Sequence, residues 1–460
     1  MARYYKNGRW SDSFFRRRSP AEILMFGFAL VILVGALILN LPISSASGHS
    51  PGFLNCLFTS TSSVCVTGLV VVDTGTYWSL FGQIVIMLLI QIGGLGFMSL
   101  MTIIFVIAGR KITIKDRLLL QSSVNSDRVE GIVKFTKYIV GSSFLIEGVG
   151  ALLLSWVFIP EYGFIKGIYF GIWHSISSFC NGGFDLIGGY RSFEPYVNNG
   201  LLNITVCALI VSGGLGFAVT SEIWNYRRSR RFSLHTKLVL VTTGILILSG
   251  ALMFFIFEHN NPETMGNLPW YGKLYASLYQ SITPRTAGSN TISQTGLTAP
   301  SALLTMALMF IGGSPGSTAG GIKTTALALS AASLYSVLMG KKEVTCFRRT
   351  IPGAALKRAL CIFFIGVAII FAMLMLLMFF EPGLSFENLM FEVFSAYGTV
   401  GLSRGLTGSL HNASKIVLMI GMFIGRVGPM TIAFVLSRTE RRERENKGEF
   451  HLPQGNVMIG

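Results

Sequence analysis

Long apolar runs recur along the whole chain, and they constrain its fold more than any other feature. Several runs exceed the roughly 20 residues that a helix needs to cross about 30 Å of hydrocarbon. The first covers residues 23–43 and follows a basic leader that includes Arg16, Arg17 and Arg18. Because it is longer than the roughly 7 to 15 apolar residues of a signal peptide, we expect it to remain as a membrane span. With 51% hydrophobic and only 13% charged residues, the chain suits a bilayer rather than water.

The net charge of +16 would suit a nucleic-acid partner, so the position of the charges has to decide. Of the 37 lysine and arginine residues, 29 lie in five clusters: the leader and residues 110–137, 227–237, 341–358 and 438–447. The clusters alternate with loops almost free of positive charge, which is the positive-inside pattern of a multi-span protein. The pattern predicts cytoplasmic termini and no nucleic acid, and it leaves anionic membrane lipids or an acidic cytosolic partner to bind the clusters.

Between successive clusters one arrangement repeats: a long span, a shorter apolar segment and a second long span. The eight predicted spans cover residues 23–43 and 79–108, 138–158 and 200–221, 238–257 and 301–339, and 359–380 and 416–436. We therefore predict an all-α integral membrane protein in which four pseudosymmetric helix, pore-loop, helix repeats surround one central pore. The repeats occupy residues 22–110, 111–230, 231–342 and 343–437, between cytoplasmic segments at residues 1–21 and 438–460.

The segments between paired spans have the length of re-entrant helices; they are residues 53–63, 166–179, 274–283 and 386–397. Each precedes a triplet that ends in glycine, and the four triplets are Val66-Thr67-Gly68, Asn181-Gly182-Gly183, Thr286-Ala287-Gly288 and Thr399-Val400-Gly401. The glycines are separated by 115, 105 and 113 residues. A short extended strand that ends in glycine directs several carbonyl oxygens at one axis. Four such strands predict a selectivity filter that replaces the water around a cation.

A second glycine-rich motif keeps register with the triplets. It begins at Ile92, Ser212, Ile311 and Ile424, in the later span of each pair. Its first glycine follows the filter glycine by 25, 30, 24 and 24 residues. Glycines also let membrane helices pack closely, but two anchors in register across four units favour an internal repeat.

Two acidic residues follow filter triplets: Asp73 after the first and Asp185 after the second. We expect them to make the outer mouth electronegative and to concentrate cations there. An ordinary solvated loop residue is the alternative, above all for Asp73.

The later span of the third unit contains a polar, glycine-rich interruption. It comprises Gly312, Gly313, Ser314, Pro315, Gly316, Ser317, Thr318, Ala319, Gly320, Gly321, Ile322 and Lys323. In a helix, glycine costs about 1 and proline about 3 kcal/mol relative to alanine, so we predict that residues 312–323 form an intramembrane loop. Beneath the filter this loop is a candidate gate. A static break that serves packing is the alternative.

Arg426 occupies the position that Gly94, Gly214 and Gly313 hold in the other units. A charge at the bilayer centre costs roughly 2.5 to 3.5 kcal/mol on insertion scales, so the side chain should face water or an acidic partner. Facing the pore below the filter, it would oppose the passage of cations and is a candidate part of the gate. The alternative is a structural salt bridge to Glu147 or Glu392.

With these residues the chain resembles the Trk/Ktr/HKT superfamily of K⁺ transporters, and within it the KtrB-type membrane subunit of bacterial Ktr systems. The resemblance covers nearly the whole chain. It is carried by Ser19-Pro20-Ala21-Glu22, Leu41-Pro42-Ile43-Ser44, the four filter triplets, the run Gly-Ser-Pro-Gly-Ser-Thr-Ala-Gly-Gly at 313–321, Gly425-Arg426-Val427-Gly428-Pro429 and the terminal segment 455–460.

The resemblance implies K⁺ uptake across a bacterial plasma membrane by a homodimer with one pore per subunit. It implies that the filter glycines are Gly68, Gly183, Gly288 and Gly401, that residues 312–321 are the gating loop and that Arg426 faces the pore. Members that prefer Na⁺ have serine at the first filter position, so Gly68 favours K⁺. The triplet at 181–183 departs mildly from the family's usual Asn-Ala-Gly.

The resemblance also implies regulation by a separate cytosolic ring of nucleotide-binding RCK domains, so that ATP or ADP acts only through this partner. No Gly-x-Gly-x-x-Gly follows a strand in this sequence, and the basic loops are the expected docking surface. Dependence on Na⁺ is left open.

An ion-coupled secondary transporter with a midplane binding site is the alternative function, because such transporters also use repeats and broken helices. Inverted repeats would give successive units opposite topology, whereas each unit here returns its basic cluster to the same side. An enzyme is disfavoured, because the histidines are scattered without metal-ligand spacing, at His49, His174, His235, His259, His411 and His451.

Overall fold

The computed structural model describes residues 20–96, 99, 131–341, 343–429 and 431. Outside them lie nearly all of the predicted segment 1–21, the ends of the predicted spans 79–108 and 416–436, most of the basic cluster 110–137, and the tail 438–460. Helices dominate the described part of the chain, and we number them α1 to α16 along it.

The helix bounds are Pro20–Leu39 (α1), Phe53–Val64 (α2), Thr74–Tyr77 (α3), Leu80–Leu95 (α4), Ile132–Tyr162 (α5), Phe164–Phe179 (α6), Gly200–Gly214 (α7), Phe217–Trp224 (α8), Tyr226–Ser229 (α9), Leu234–Glu258 (α10), Trp270–Ile282 (α11), Ala299–Phe310 (α12), Thr324–Leu338 (α13), Gly353–Phe380 (α14), Phe386–Gly398 (α15) and Asn412–Val427 (α16). Two 3₁₀ turns cover Pro42–Ser44 and Glu194–Tyr196. Strands Thr345–Cys346 (β1) and Arg349–Thr350 (β2) pair in an antiparallel hairpin.

Four of the described helices are long and apolar enough to cross a membrane: α1, α5, α10 and α14. They correspond to the first predicted span of each pair, although α1 ends at Leu39, four residues before the predicted end of the span 23–43. Their outward faces carry large apolar side chains such as Trp156 in α5 and Phe379 in α14, both 78% exposed. Large apolar surface of this kind marks contact with a membrane, and a helix satisfies its own backbone there.

Four shorter helices, α2, α6, α11 and α15, match the predicted re-entrant segments, and each ends no more than four residues before its filter triplet. Their first turns carry exposed apolar side chains, whereas their last turns are buried although they include hydroxyl side chains. In α2 all five residues from 59 to 63 are serine or threonine, and none is more than 4% exposed. Ser63 Oγ donates to the carbonyl oxygen of Thr59 at 2.7 Å, which shows how such side chains are satisfied inside the protein.

The later helix of each pair is shorter than predicted, because it ends at the second glycine motif. These ends are Leu95 for α4, Gly214 for α7, Phe310 for α12 and Val427 for α16. The φ values of Gly96, Gly216 and Gly428 are 77°, 90° and 94°, and an α-helix requires about −60°. The predicted span at residues 200–221 is not one straight helix, since the chain bends by 106° between α7 and α8.

The described residues thus contain four long spans, or five if α7 and α8 are counted as one bent span. Helices α4, α12 and α13 are apolar but shorter. The count of eight spans and the pseudosymmetry of the four repeats stay predictions.

Candidate functional site

The four filter triplets approach one another in the described structure, and each has positive φ at its first and last residue. Their first residues have φ values of 57° at Val66, 61° at Asn181, 72° at Thr286 and 51° at Thr399. Their closing glycines have φ values between 71° and 96°. Left-handed φ at a residue with a side chain costs of order 1–3 kcal/mol and persists only where the surroundings enforce it. Each triplet is therefore held in its shape by the packing around it.

The four closing glycines form a ring. A Cβ atom added to Gly68 would lie 2.8 Å from the Cα of Gly183, and one added to Gly183 would lie 3.0 Å from the Cα of Gly288. A Cβ on Gly288 would lie 3.2 Å from the Cα of Gly401, and one on Gly401 would lie 2.9 Å from the Cα of Gly68. The contacts run in chain order and close on the first member. No side chain fits at these positions, so the ring requires glycine.

The short helices hold the triplets from behind. The middle residue of each triplet donates its backbone N–H to a carbonyl near the end of the preceding helix, at 2.6 to 2.9 Å; these donors are Thr67, Gly182, Ala287 and Val400. Gly68 and Gly401 donate their N–H groups to the hydroxyls of Ser62 and Ser395, both at 3.0 Å. Within the described part of the chain, no hydrogen bond ends on a carbonyl oxygen of the triplets. Nine of the twelve triplet N–H groups therefore donate hydrogen bonds within the described structure, whereas the triplet carbonyl oxygens stay available as acceptors.

Four side-chain oxygens of the triplets are buried and have no hydrogen-bond partner among the described residues. They are Thr67 Oγ1, Asn181 Oδ1, Thr286 Oγ1 and Thr399 Oγ1. An unpaired buried polar group costs roughly 1–3 kcal/mol, so a partner that supplies the missing interaction is expected. A dehydrated cation is such a partner. Three of these oxygens belong to the first residue of a triplet, where the remaining unit has the apolar Val66.

A cavity of 380 Å³ adjoins the glycine ring. The four filter glycines and both predicted acids, Asp73 and Asp185, line it. Asp73 also organises its loop, because its carboxylate accepts N–H bonds from Gly75, at 3.0 Å, and from Gly189. Burial raises the pKa of the Asp185 carboxyl to about 6, although an N–H bond from Ile187 at 3.0 Å favours the charged form. Both acids therefore lie at the mouth, and neither is merely a solvated loop residue.

The intramembrane loop lies at the other end of the triplets. It joins α12 to α13, and Ile311 and Ile322 pair across its base as an isolated parallel bridge. The N–H of Ser314 donates to the carbonyl of Gly214 at 2.9 Å, which anchors the loop to the end of α7. The predicted interruption at 312–323 is thus an ordered loop rather than a helix.

The loop touches the first residues of two triplets. Asn181 Nδ2 donates to Thr318 Oγ1 at 3.2 Å. A Cβ atom on Gly320 would lie 3.0 Å from the Cβ of Thr399 and closer still to its hydroxyl, so only glycine fits. The glycine end of the filter faces the cavity, and the opposite end faces the loop.

Arg426, in the last turn of α16, lies next to this loop. Its guanidinium donates hydrogen bonds to the carbonyl oxygens of Thr318 and Gly93, and to that of Gly94 at 3.3 Å. The positive charge therefore binds the C-terminal end of α4, where the helix dipole is negative. Arg426 therefore joins the loop to α16 and to the end of α4.

The alternative salt bridge from Arg426 to Glu147 or Glu392 does not form in the described structure. Glu147 instead accepts hydrogen bonds from Gln91 Nε2 at 3.0 and 3.1 Å. Glu392 accepts hydrogen bonds from two hydroxyl groups described below. Each carboxylate thus has hydrogen-bond donors other than the arginine, and Arg426 donates its hydrogen bonds to carbonyl oxygens instead.

The hydroxyl groups that hydrogen-bond to the filter triplets and their flanking backbone were not predicted from the sequence. Besides Ser62 and Ser395, Ser177 Oγ donates to the carbonyl of Phe184, just beyond the second triplet, at 2.7 Å. These serines share a signal that was available in the sequence, because each stands six residues before its filter glycine.

Two charged residues make contacts that were not predicted from the sequence. Glu392 in α15 is fully buried and accepts hydrogen bonds from Ser403 and from Thr407 Oγ1, the latter at 3.0 Å, so it braces the segment beyond the fourth triplet. Lys323 Nζ donates to the carbonyl of Ala319 at 2.7 Å and closes the end of the loop. A single acid or lysine carries no pattern that predicts such a contact.

The sequence matches the family model described as TrkH, cation transport protein, over residues 21–444. It is 42% identical over 448 residues to the potassium/sodium uptake protein NtpJ of Enterococcus hirae, covering 97% of this chain and 98% of that protein. It is 40% identical over 444 residues to the Ktr system potassium uptake protein B of Bacillus subtilis, covering 96% of this chain and 97% of that protein.

A solved structure has a similar fold. The crystal structure of the potassium transporter TrkH from Vibrio parahaemolyticus superposes with a TM-score of 0.71, covering 92% of this chain and 86% of that one. The two sequences are only 16% identical, so this likeness concerns the fold alone.

Proposed function

Because the chain belongs to the TrkH family of cation transport proteins, we propose that it takes up K⁺ across a bacterial plasma membrane through the ring of filter triplets. Of two relatives about 40% identical along nearly their whole length, one is named a potassium/sodium uptake protein and the other a potassium uptake protein. The observation that carries the proposal is the closed ring of Gly68, Gly183, Gly288 and Gly401, together with the unpaired oxygens beside it.

In this proposal the oxygen atoms of the filter replace the hydration shell of the cation. Most of the triplet N–H groups are bonded to the short helices, and the triplet carbonyl oxygens and the side-chain oxygens of Thr67, Asn181, Thr286 and Thr399 are the ligands offered to a cation. A bare cation binds such oxygens in place of its hydration shell, and no net protein charge is required. The ligands of K⁺ are accordingly drawn from all twelve residues at 66–68, 181–183, 286–288 and 399–401.

The cavity at the glycine ring supplies the entrance. Asp73 and Asp185 give it a negative potential, which raises the local concentration of cations without binding them tightly. Cations then pass from the glycine end of each triplet towards its first residue.

At that inner end we propose the gate. Residues 312–321 lie against Asn181 and Thr399, and Arg426 holds the loop through Thr318. A fixed positive charge on a narrow path opposes the passage of cations. Displacement of the loop together with the Arg426 side chain would open the path, whereas the docked arrangement closes it.

We further propose the assembly that the family resemblance implies. The eight spans form four repeats with the boundaries given above, both termini are cytoplasmic, and two chains form a homodimer. A cytosolic RCK-type ring binds the basic loops and brings ATP or ADP control. One relative is named as the B protein of a Ktr system, a name that agrees with a multi-subunit system.

Flux measurements on the purified chain in liposomes test the proposal. We expect K⁺ to move down its gradient, saturably and in preference to Na⁺, without a fixed ratio of K⁺ to Na⁺. Rescue of growth in a K⁺-limited strain that lacks its own uptake systems should accompany the flux. K⁺ movement only in a constant ratio to Na⁺ would instead establish an ion-coupled transporter, and an inert chain in both assays would refute the proposal.

A further inference from the structure

The intramembrane loop touches the filter through one pair of polar side chains. Asn181 Nδ2 lies 3.2 Å from Thr318 Oγ1, although the two residues are 137 positions apart. Asn181 is fully buried, as is Thr318, so water does not compete for this contact.

The bonding of the Thr318 hydroxyl determines the orientation of the Asn181 amide. A hydroxyl has one hydrogen, and here it is donated to the carbonyl oxygen of Phe179 at 3.2 Å. Towards Asn181 the hydroxyl can therefore only accept, so the amide must present its NH₂ group to Thr318. Its carbonyl oxygen, Oδ1, then points elsewhere, and it is one of the four buried oxygens without a partner in the described structure.

Thr318 itself is held on every polar atom. Its backbone N–H donates to Gly213 at 3.2 Å, and its carbonyl oxygen accepts from Arg426. A Cβ atom on Gly213 would lie 2.8 Å from Thr318 Oγ1, so the close approach requires glycine there. The position of Thr318 is thus defined by contacts with the end of α7, with α16 and with the second filter triplet.

From these contacts we infer that Thr318 is a positioning residue for the filter. With the loop docked, its hydroxyl orients the Asn181 amide so that Oδ1 joins the other ligand oxygens at the inner end of the filter. The inference rests on the proposed function, because it assumes that the triplets bind K⁺. When the loop moves away, the amide loses its only side-chain partner in the described structure and becomes free to rotate. The filter therefore selects its ion while the loop is docked, before the path opens, and the flux ratio reports that selection.

The consequence is a coupling between the gate and the filter. If the docked loop improves the ligand set for K⁺, then K⁺ in the filter must favour the docked loop to the same degree, because coupling between two equilibria is reciprocal. The first residues of the other triplets do not share this arrangement. Val66 has no side-chain oxygen, and the Thr286 and Thr399 hydroxyls have no hydrogen-bond partner among the described residues. The coupling therefore acts through the second triplet.

The test compares Thr318→Val, which replaces the hydroxyl by a methyl group of similar size, with Thr318→Ser, which keeps it. Each variant is reconstituted in liposomes, and the ratio of K⁺ to Na⁺ flux and the K⁺ concentration at half-maximal flux are measured. We expect Thr318→Val to lower the flux ratio by roughly three- to tenfold, the range that loss of one ordinary hydrogen bond allows. Thr318→Ser should keep the native ratio.

Ser314→Ala is the matched control. Ser314 lies in the same loop and pairs with Thr324 at 3.0 Å, but this hydroxyl pair does not include a filter residue. We expect the control to change the rate of K⁺ flux and to leave the flux ratio native. A double variant, Thr318→Val with Asn181→Ala, should have the same flux ratio as Asn181→Ala alone, because the two residues act through one contact.

A native flux ratio in Thr318→Val would overturn the inference, and so would an equal fall of the ratio in Ser314→Ala. If Thr318→Val does not assemble, Thr318→Ala removes the same hydroxyl with less volume and is read by the same criteria. Failure of the proposed function is distinguishable, because it would show in the native chain as absent or unselective K⁺ flux.

Discussion

Gly401 and Gly68 are neighbours in the structure, although 333 residues separate them in the chain: a Cβ atom on Gly401 would lie 2.9 Å from the Cα of Gly68. This contact joins the last filter triplet to the first and closes the ring. It also makes the four glycines the most sensitive positions of the proposed filter, since a side chain at any of them meets the backbone of the next.

Serine at a filter glycine should therefore abolish or degrade selective K⁺ flux. We expect at least a tenfold loss of K⁺ flux, or of its preference over Na⁺, in Gly68→Ser, Gly183→Ser, Gly288→Ser and Gly401→Ser, measured in liposomes. Gly48→Ser is the control, because Gly48 has the same left-handed backbone (φ 73°) but open space around it. Native flux and selectivity in all four filter variants would reject the filter assignment.

Removing the arginine should release the loop. In Arg426→Ala the carbonyl groups of Thr318, Gly93 and Gly94 lose their donor, and the positive charge at the inner end disappears. We expect K⁺ flux per folded molecule to rise several-fold, with Arg426→Lys intermediate because it keeps the charge but not the forked geometry. The control is Arg404→Ala, whose ion pair with Glu387 at 2.5 Å lies outside the loop. A fall in protein yield without any rise in flux per molecule would assign Arg426 to folding alone.

The unpaired hydroxyls of the triplets should contribute to selectivity rather than to folding. In Thr286→Val and Thr399→Val a methyl group replaces a buried oxygen that has no partner among the described residues. We expect the apparent affinity for K⁺ to fall by roughly three- to tenfold, while thermal stability without K⁺ stays native or rises, because an unpaired buried group has been removed. Thr291→Val is the control, since its buried hydroxyl is similarly unpaired but lies outside the triplets. Unchanged K⁺ affinity in both variants would show that these oxygens are not ligands.

The buried carboxylate of Glu392 should stabilise the segment beyond the fourth triplet. Glu392→Ala leaves the hydroxyls of Ser403 and Thr407 without their acceptor, which we expect to cost roughly 2 to 4 kcal/mol, the scale of hydrogen bonds to a charged group. Thermal unfolding in detergent measures this loss. Glu392→Gln keeps one acceptor oxygen and should lie between the native protein and Glu392→Ala. Equal stability of all three proteins would contradict the bracing role.

The acids at the mouth should act through their charge. We expect Asp73→Asn with Asp185→Asn to raise the K⁺ concentration at half-maximal flux about two- to fivefold at low ionic strength, and to have little effect at high ionic strength, where salt screens the potential. Maximal flux should stay native, because neither carboxylate belongs to the triplets. An effect that does not depend on salt would mean that the acids act by another route, such as the order of the loop that Asp73 organises.

Much of the backbone around the filter triplets could be predicted from the sequence because its signals are local. The short helix predicted at residues 386–397 is found at Phe386–Gly398, and the interruption at 312–323 is found between α12 and α13. Short apolar length, hydroxyl-rich helix ends and a run of glycines with Pro315 are properties of the segment itself. They reduce the stability of a helix or limit its reach whatever surrounds it.

The breaks after α4, α7 and α16 were not predicted, for a physical reason. Glycine is compatible both with a packed helix and with positive φ, so the sequence alone does not say which conformation Gly96, Gly216 or Gly428 adopts. The surroundings decide. At Gly216, for example, a Cβ atom would lie 2.6 Å from the carbonyl oxygen of Pro315, which shows how closely the intramembrane loop approaches.

The sequence by itself determined where the four long apolar helices lie, that residues 312–323 interrupt a helix and which triplets end in glycine, because each of these follows from the composition of a single segment. Only the tertiary structure decided that Arg426 binds carbonyl oxygens rather than an acid, and that Thr318 meets Asn181. Such contacts join residues more than a hundred positions apart. Their energies depend on distance and orientation after packing, and neither quantity is written in the order of the amino acids.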